Sequence, residues 1–366
     1  MRWGLEKLLL TILLPSLNDG DNLFSLLQEP PSPTAIYAGV AAHLEEASRH
    51  AEPERARPEQ GGERITTAWL YTLKPRDILY RFRFYAAEIE DLVCALDIPD
   101  PFKTDNRYRF SAIEALCLLL ARFKSCEDMY DLSMKYDRSQ SSISEVVNEL
   151  TTSLSTPTQY MPPARLFVTF GVSLIAPFGT SVIHLCTSAS FNGHKKFHAL
   201  KYEAVKVPNG LIAHPYGPVE GRRNDNHLLA ASGLLEWCRA HATRPGTTAN
   251  TPPEHRYYHL FGDPAYGLNA VLISPFSRAR QRSEEEAKWN ADMSAVRISV
   301  EHGFGGVLAL WPFAHTWWKH KLYASPVGRY YRIAVLLTNA HNCIRPNQTS
   351  VAFDCEPPTL EEYFHD

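Results

Sequence analysis

The most informative pattern in the chain is FHALKYEAVKVPNGLIAHPY, residues 197–216. Its two runs, Phe197–Val207 and Leu211–Tyr216, are rich in β-branched and aromatic residues, which favour strands. Between them lies Pro208-Asn209-Gly210, and an Asn-Gly pair between two such runs is the strongest short-range sign of a β-hairpin. The sequence therefore predicts two antiparallel strands joined by a tight turn.

The segments around this hairpin extend the pattern. Residues 166–175 predict a strand before it, and residues 226–242 and 257–261 predict a helix and a short strand after it. A long helix is predicted from Ser283, because Ser283 and Glu286 form a capping box. The apolar stripe of this helix consists of Trp289, Met293, Val296, Val300, Phe304 and Val307. Strands, helix, strand and helix in this order indicate an α/β domain with a central sheet.

Three helices are predicted upstream, over residues 111–123, over about 126–136 and after a break at 136–139. The third helix has an apolar stripe formed by Ile143, Val146, Val147, Leu150 and Leu154. Its first turn, Arg138-Ser139-Gln140-Ser141, is polar. This order matches a helix-turn-helix, whose second helix reads the major groove of DNA. The pattern leaves a plain helical bundle open as the alternative.

The composition is that of an ordinary globular protein, with 366 residues, 45% of them hydrophobic, and a formal net charge of −3. It excludes a wholly disordered chain and makes two domains the expectation. A nucleic-acid partner would need a local basic cluster, and residues 192–223 hold six basic residues against two acidic ones. The seven scattered cysteines form no C-x-x-C pair, which favours a reducing compartment. Without a run of 18 apolar residues, we expect no membrane span.

Two acidic residues are candidates for chemistry because of their positions. Asp263 comes where the strand 257–261 ends, and Glu301 lies on the long helix beside its apolar stripe. Carboxylates at a strand end and on a helix laid on the sheet can share Mg²⁺, and two such ions promote in-line attack on a phosphodiester. Spacing alone leaves a structural alternative open, in which Asp263 caps a turn and Glu301 pairs with Arg297.

Four motifs follow one another between residues 192 and 305. They are NGHKKFHALK (192–201), YGPVEGRRND (216–225), GDPAY (262–266) and SAVRISVEHGFG (294–305). In this order they resemble the PIF/Harbinger-type transposases and transposase-derived DDE superfamily endonucleases, in the form common in fungi. The resemblance runs from about residue 80 to the C-terminus and includes the tail FDCEPP (353–358).

The resemblance implies an α/β RNase H-like catalytic domain, with a mixed sheet and flanking helices, preceded by an all-α helix-turn-helix-like region. We expect a poorly ordered N-terminal segment (1–68), a helical domain (69–160), the RNase H-like DDE nuclease domain (161–346) and a C-terminal tail (347–366). The implied function is a nuclear endonuclease or transposase that cleaves DNA with two Mg²⁺ or Mn²⁺ ions. A companion DNA-binding protein and an oligomer are compatible with it.

The resemblance also assigns roles to particular residues. Asp263 and Glu301 match the second and third catalytic acids and are the implied metal ligands. The supporting residues of the site are Asp225, Asn192, His194, Lys195, Arg222 and Arg297. The helix-turn-helix reading, which the resemblance strengthens, makes Arg138, Ser139, Gln140 and Ser141 the expected DNA contacts.

The chain departs from the family at the first acid. The family has Asp-Gly-Thr on the first strand, whereas this chain has Phe178-Gly179-Thr180, and no Asp or Glu occurs between Leu150 and Tyr202. Because Phe178 offers no metal ligand, we expect cleavage to be lost or severely impaired, at a cost of at least roughly 10²–10³ in rate. Two alternatives remain, a mis-spliced gene model between about 163 and 191, and a non-catalytic domesticated DNA-binding or interaction protein that keeps the transposase fold.

Overall fold

The computed structural model describes residues 61–155, 172–177, 181–182, 191–192, 197–263, 266–276, 281–315 and 326–365. For the sheet residues before Leu200, for 299–301 and for His315, it describes the backbone alone. All described residues belong to one compact unit, Gln60–Asp366. Of the predicted N-terminal segment (1–68), residues 1–60 lie outside the described residues.

Six helices and a two-stranded sheet make up the described chain before residue 156. The helices are α1 (Thr67–Thr72), α2 (Pro75–Phe82), α3 (Ala86–Ala95), α4 (Ala112–Lys124), α5 (Met129–Tyr136) and α6 (Gln140–Ser153), and the strands are β1 (Phe102–Lys103) and β2 (Arg109–Phe110). Helix α4 is the centre of this bundle, because its residues from Ala115 to Ala121 are all buried. Side-chain oxygens of Thr66, Ser111 and Ser139 cap α1, α4 and α6.

The three helices predicted over 111–154 are present, with shifted starts. Helix α5 begins at Met129 and not at 126, because Asp128 forms its capping box with Asp131. Helix α6 begins at Gln140, with Ser139 as its N-cap. Asp137 adopts a left-handed conformation, φ 47°, which turns the chain between these helices. Helix α6 packs against both α4 and α5. The helix-turn-helix assignment itself stays a prediction.

The rest of the described chain is built on a seven-stranded mixed sheet. Its strands are β3 (Val172–Pro177), β4 (Ser181–Val182), β5 (Phe191–Asn192), β6 (Phe197–Lys206), β7 (Ile212–Glu220), β8 (His259–Phe261) and β9 (Leu272–Ile273). The predicted hairpin is confirmed as β6 and β7, with Lys206 opposite Ile212. The predicted strand over 166–175 is β3, which ends two residues later, and residues 166–171 lie outside the described residues.

Strand β3 lies between two different neighbours. It runs antiparallel to β6, with Pro177 opposite Glu203, and parallel to β8, with Leu174 opposite Phe261. Strand β9 extends the sheet parallel to β8. The carboxyl ends of β3 and β8 therefore reach the same edge of the sheet.

The single helix predicted over 226–242 is wrong, because two helices occupy this segment. They are α7 (Asp225–Ser232) and α8 (Leu234–His241), and Gly233 separates them with φ 67°. Glycine adopts this left-handed conformation at little cost, so it ends α7 although the apolar pattern continues. A short helix, α9 (Pro253–Arg256), then leads to β8.

The long helix predicted from Ser283 is confirmed as α10 (Glu284–Leu310), with the Ser283–Glu286 capping box. Met293, Phe304 and Val307 of its apolar stripe are buried. Trp289, the first residue of the stripe, remains 41% exposed. Its ring meets that of Phe261, at the end of β8, so this part of the helix covers the rim of the sheet and not its core.

Three helices follow a short 3₁₀ turn, Pro312–His315. They are α11 (Val327–Ile344), α12 (Gln348–Ala352) and α13 (Leu360–His365). Asn339 of α11 is buried and fastens the helix to β7, because its side chain exchanges hydrogen bonds with both backbone groups of Ile212 at 2.8 Å. None of the helices in the described ranges combines the length and apolarity that crossing a membrane requires.

Candidate active site

Asp263 stands at the edge where the parallel strands end. It follows β8 by two residues, and β3, the neighbouring parallel strand, ends at Pro177. The next residue after Pro177 is Phe178, which lies outside the described residues. The edge that carries Asp263 is therefore also the edge at which β3 ends, one residue before position 178.

Arg297 connects Asp263 to the long helix. Its guanidinium donates to the Asp263 carboxylate at 2.9 Å, and both side chains are largely buried. Glu301 lies one turn further along α10, with its backbone described and its side chain not. The alternative that pairs Arg297 with Glu301 stays a prediction, because the side chain of Glu301 is not described; Arg297 does pair with Asp263 across the fold.

Asp225 and Lys201 form a second ion pair, which is partly buried. Asn224 caps α7, which places Asp225 in its first turn. The Lys201 ammonium donates to the Asp225 carboxylate at 3.1 Å and to the backbone carbonyl of Arg223 at 2.8 Å. A carboxylate in the first turn of a helix is also favoured by the helix dipole. Asp225 therefore joins β6 to the start of α7.

Glu203 is a buried acid that sequence reasoning missed. It lies on β6 opposite Pro177, it is fully buried, and the Ser232 hydroxyl donates to its Oε1 at 3.0 Å. Its Oε2 has no hydrogen-bond partner. Burial raises the pKa of Glu203 to about 7, the hydrogen bond from Ser232 opposes this rise, and the charge of Asp225 adds to it.

Tyr266 ties these charges into one electrostatic environment. Burial raises the pKa of the Tyr266 phenol far above its ordinary value, and the negative charges of Glu203, Asp225 and Asp263 raise it further. The positive charge of Arg297 acts in the opposite direction. Tyr266 therefore keeps its proton, and its ring lies within the field of all three acids.

Lys206 places a buried cation beneath the helix that carries Glu301. It lies on β6, and burial lowers the pKa of its ammonium to about 8. The ammonium fits directly against Gly303, where any side-chain carbon would collide with it. Glycine at position 303 therefore lets α10 approach β6 two residues after Glu301.

The remaining predicted residues are spread around this edge. Arg222 is an exposed cation that lies 3.6 Å from the carboxylate of Glu220. Asn192 belongs to β5 and lies opposite Phe197, and its side chain is not described. His194 and Lys195 fall outside the described residues, so their roles stay predictions.

The predicted DNA contacts at the start of α6 divide into two groups. Arg138 forms a buried ion pair with Glu114 at 2.6 Å and donates to the carbonyl of Arg109, and Ser139 accepts from the backbone of Ser142. Arg138 therefore connects the start of α6 to α4, and Ser139 caps α6. Gln140 and Ser141 are exposed and leave a polar surface at this helix start.

The described side chains do not complete a ligand set for two divalent ions. Within the described ranges, no three His, Cys, Asp or Glu side chains form a group that could hold a metal ion. The carboxylate of Asp263 already pairs with the Arg297 side chain, and that of Asp225 with the Lys201 side chain. The side chain of phenylalanine, the residue at position 178, has no oxygen that could bind a metal ion.

Residues 183–339 match the family model described as DDE superfamily endonuclease. This part of the chain is similar to that superfamily, whose RNase H-like fold agrees with the mixed sheet and its flanking helices. The matched residues include Asp225, Asp263 and Glu301, and they begin after Phe178. Neither the curated proteins nor the solved structures that were compared with the chain give a match.

Proposed function

We propose that the chain is a transposon-derived DNA endonuclease or transposase of the PIF/Harbinger type, in its fungal form, and that its cleavage activity is impaired. Its expected place of action is the nucleus. The observation that carries this proposal is the position of Asp263, at the shared edge of β3 and β8 and bonded to Arg297 of the helix that bears Glu301. The similarity of residues 183–339 to DDE superfamily endonucleases supports it.

The ions of such a site would activate the attacking water or 3′-hydroxyl and stabilise the leaving oxygen. Asp263 and Glu301 are the residues that would hold them. The fit is incomplete, because Phe178 occupies the position of the first ligand and Arg297 already neutralises Asp263. We expect at least roughly a 10²–10³-fold loss in rate from the missing electrostatic contact.

The test is nicking of supercoiled plasmid in Mg²⁺ or Mn²⁺. The unchanged chain should nick slowly or not at all, and Phe178→Asp should raise the rate by at least roughly 10²-fold. The double variant Phe178→Asp/Asp263→Ala is the matched control and should lose this gain. Full Mg²⁺-dependent nicking by the unchanged chain would contradict the impairment, and equal activity of the two Phe178→Asp proteins would remove Asp263 from the mechanism. Sequencing the transcript over codons 160–195 separates a true Phe178 from mis-splicing.

A second candidate function is non-catalytic DNA binding by a domesticated transposase fold. The pairing of Asp263 with Arg297 and of Asp225 with Lys201 favours it, because these cations offset the charge of the pocket without a metal ion. Under this function, DNA binding persists in EDTA, falls steeply with salt and is unchanged by Mg²⁺. A requirement for divalent metal in DNA binding would favour the first candidate.

A further inference from the structure

An open groove of about 1180 Å³ adjoins the candidate active site. We call it the aromatic groove and define it by Leu268, Phe276, Trp289 and Arg297, which line it. Arg297 belongs to both places, since its guanidinium binds Asp263. The groove therefore begins at the proposed catalytic edge and continues along the first turns of α10.

Three apolar side chains of this groove face solvent. Leu268 is 80% exposed, and Phe276 and Trp289 are each 41% exposed. Single exposed apolar residues are common, whereas several along one groove mark a binding surface. Two of the three are aromatic, which gives the groove flat faces suited to stacking.

Buried contacts hold the two aromatic residues in place. The Trp289 ring meets the Phe261 ring edge-on, with centroids 5.9 Å apart. Asn290, which is buried, accepts from the Phe276 backbone N–H at 2.9 Å and donates to the Phe276 carbonyl at 3.1 Å. Ser274 lies within hydrogen-bond distance of the Asp263 carbonyl, so this wall is also tied to the active-site loop. Because these contacts already hold the two aromatic residues in place, less conformational entropy is lost when a ligand binds.

The charges of the groove favour a base over a phosphate chain. Among the lining residues that the structure describes, Arg282 and Arg297 are balanced by Glu285 and Glu286, so these residues carry no net charge. A track for the DNA backbone needs an excess of cations, whereas stacking on aromatic rings does not.

We propose that the aromatic groove binds an unpaired nucleobase of the DNA substrate, which stacks on Trp289 and Phe276. This inference rests on the proposed function, because the groove takes a nucleobase only if DNA reaches the neighbouring edge. It adds a single-stranded or locally unpaired segment as the preferred form of DNA at that edge. Trp289 is then a substrate-binding residue in addition to Asp263 and Glu301.

The test is fluorescence anisotropy with the full chain in EDTA, so that cleavage plays no part. The probes are a labelled single-stranded oligonucleotide, the same strand as a duplex, and the same strand with abasic sites. The unchanged chain should prefer the intact single strand. Trp289→Ala should weaken its binding about tenfold or more, which corresponds to the loss of one stacked base, and should leave duplex binding unchanged.

Two further variants serve as controls. Trp289→Phe keeps an aromatic face and should retain most of the binding. Tyr71→Ala removes another exposed aromatic ring, 58% exposed on α1 and outside the groove, and should have no effect. Circular dichroism of each variant verifies that it is folded.

Three results would overturn the proposal, and they are distinguishable. Unchanged single-strand binding by Trp289→Ala removes the groove from DNA recognition and leaves the proposed function intact. Failure of the unchanged chain to bind any DNA would contradict both this inference and the proposed function. A concentration-dependent dimer that Trp289→Ala dissociates, without effect on DNA, would assign the groove to a second copy of the chain.

Discussion

Glu203 places a carboxyl group where water does not reach it. One oxygen accepts a hydrogen bond from Ser232, and the other has no partner. An ionised carboxylate in such a position loses its hydration without full compensation, so the group favours its protonated form. The pKa of Glu203 is accordingly raised to about 7 by burial, and the nearby Asp225 adds to the effect.

This shift predicts a pH-dependent stability. The pKa of Glu203 is raised on folding, so its contribution is favourable below the unfolded pKa, near 4.5, and is lost as the pH rises towards 7. Glu203→Gln removes the ionisation and keeps the shape. Between pH 5 and pH 8 the free energy of unfolding should fall by about 3 kcal/mol more in the unchanged chain than in the variant.

Urea unfolding at both pH values measures this difference. Glu361→Gln is the matched control, because Glu361 is exposed on α13 and should unfold with the same pH dependence as the unchanged chain. The same fall in stability for Glu203→Gln and the unchanged chain would show that Glu203 is ionised throughout.

The residues of the site differ in how far the sequence could reveal them. Asp263 was identifiable because a strand signal ends directly before it, and the structure places it at that strand end. Glu203 was not, because alternation along a strand does not tell which charged residue a later helix will cover. The partner of Arg297 was also out of reach, since the ion pair with Asp263 joins residues 34 positions apart.

At the scale of elements, α10 meets a buried side chain of β6 at Gly303. Gly303 lies on the helix against the Lys206 ammonium, and the lysine pKa is lowered to about 8 by burial. Two residues further on, Gly305 is exposed, with open space where a side chain would stand. The two glycines therefore occupy the same helix in opposite surroundings.

This contrast gives a prediction with an internal control. Gly303→Ala should destabilise the protein by about 1–3 kcal/mol, because the added methyl group displaces the buried end of the Lys206 side chain. Gly305→Ala should stabilise it by about 0.5–1 kcal/mol, because alanine favours the helix and meets nothing there. Thermal unfolding of both variants measures the difference. Equal effects would mean that α10 does not pack on β6 as described.

The sequence predicts an element correctly where the residues next to its turn or its first turn determine the structure. Asn209-Gly210 and the Ser283 cap act within a few residues, and both predictions are confirmed. The break at Gly233 was missed, because leucines on both sides continue one helical pattern while the backbone turns left-handed. Trp289 was placed on the apolar stripe of the helix, but periodicity does not show where a long helix extends past the sheet and leaves such a residue exposed.

At the scale of the whole molecule, the helical bundle shares side-chain contacts with the segments that follow α10, among them α11, which packs on the sheet. Arg345, which follows α11, binds Glu88 of α3, and Tyr330 of α11 binds Asn148 of α6. The ring of Phe123 on α4 also packs on that of Phe313. These contacts join segments more than 170 residues apart, and they belong to the single unit Gln60–Asp366.

We therefore expect the bundle and the sheet to unfold together. In hydrogen exchange, the amides of Leu119 in α4 and Val205 in β6 should open with the same free energy. Arg345→Gln should lower both values equally, by about 1–3 kcal/mol, because Glu88 loses its ion-pair partner and keeps only the hydrogen bond from the Tyr85 backbone. Arg239→Gln removes an exposed pair and should change neither. If Arg345→Gln lowered only one of the two values, the helical domain and the nuclease domain would be separate folding units, as the boundary at residue 160 supposes.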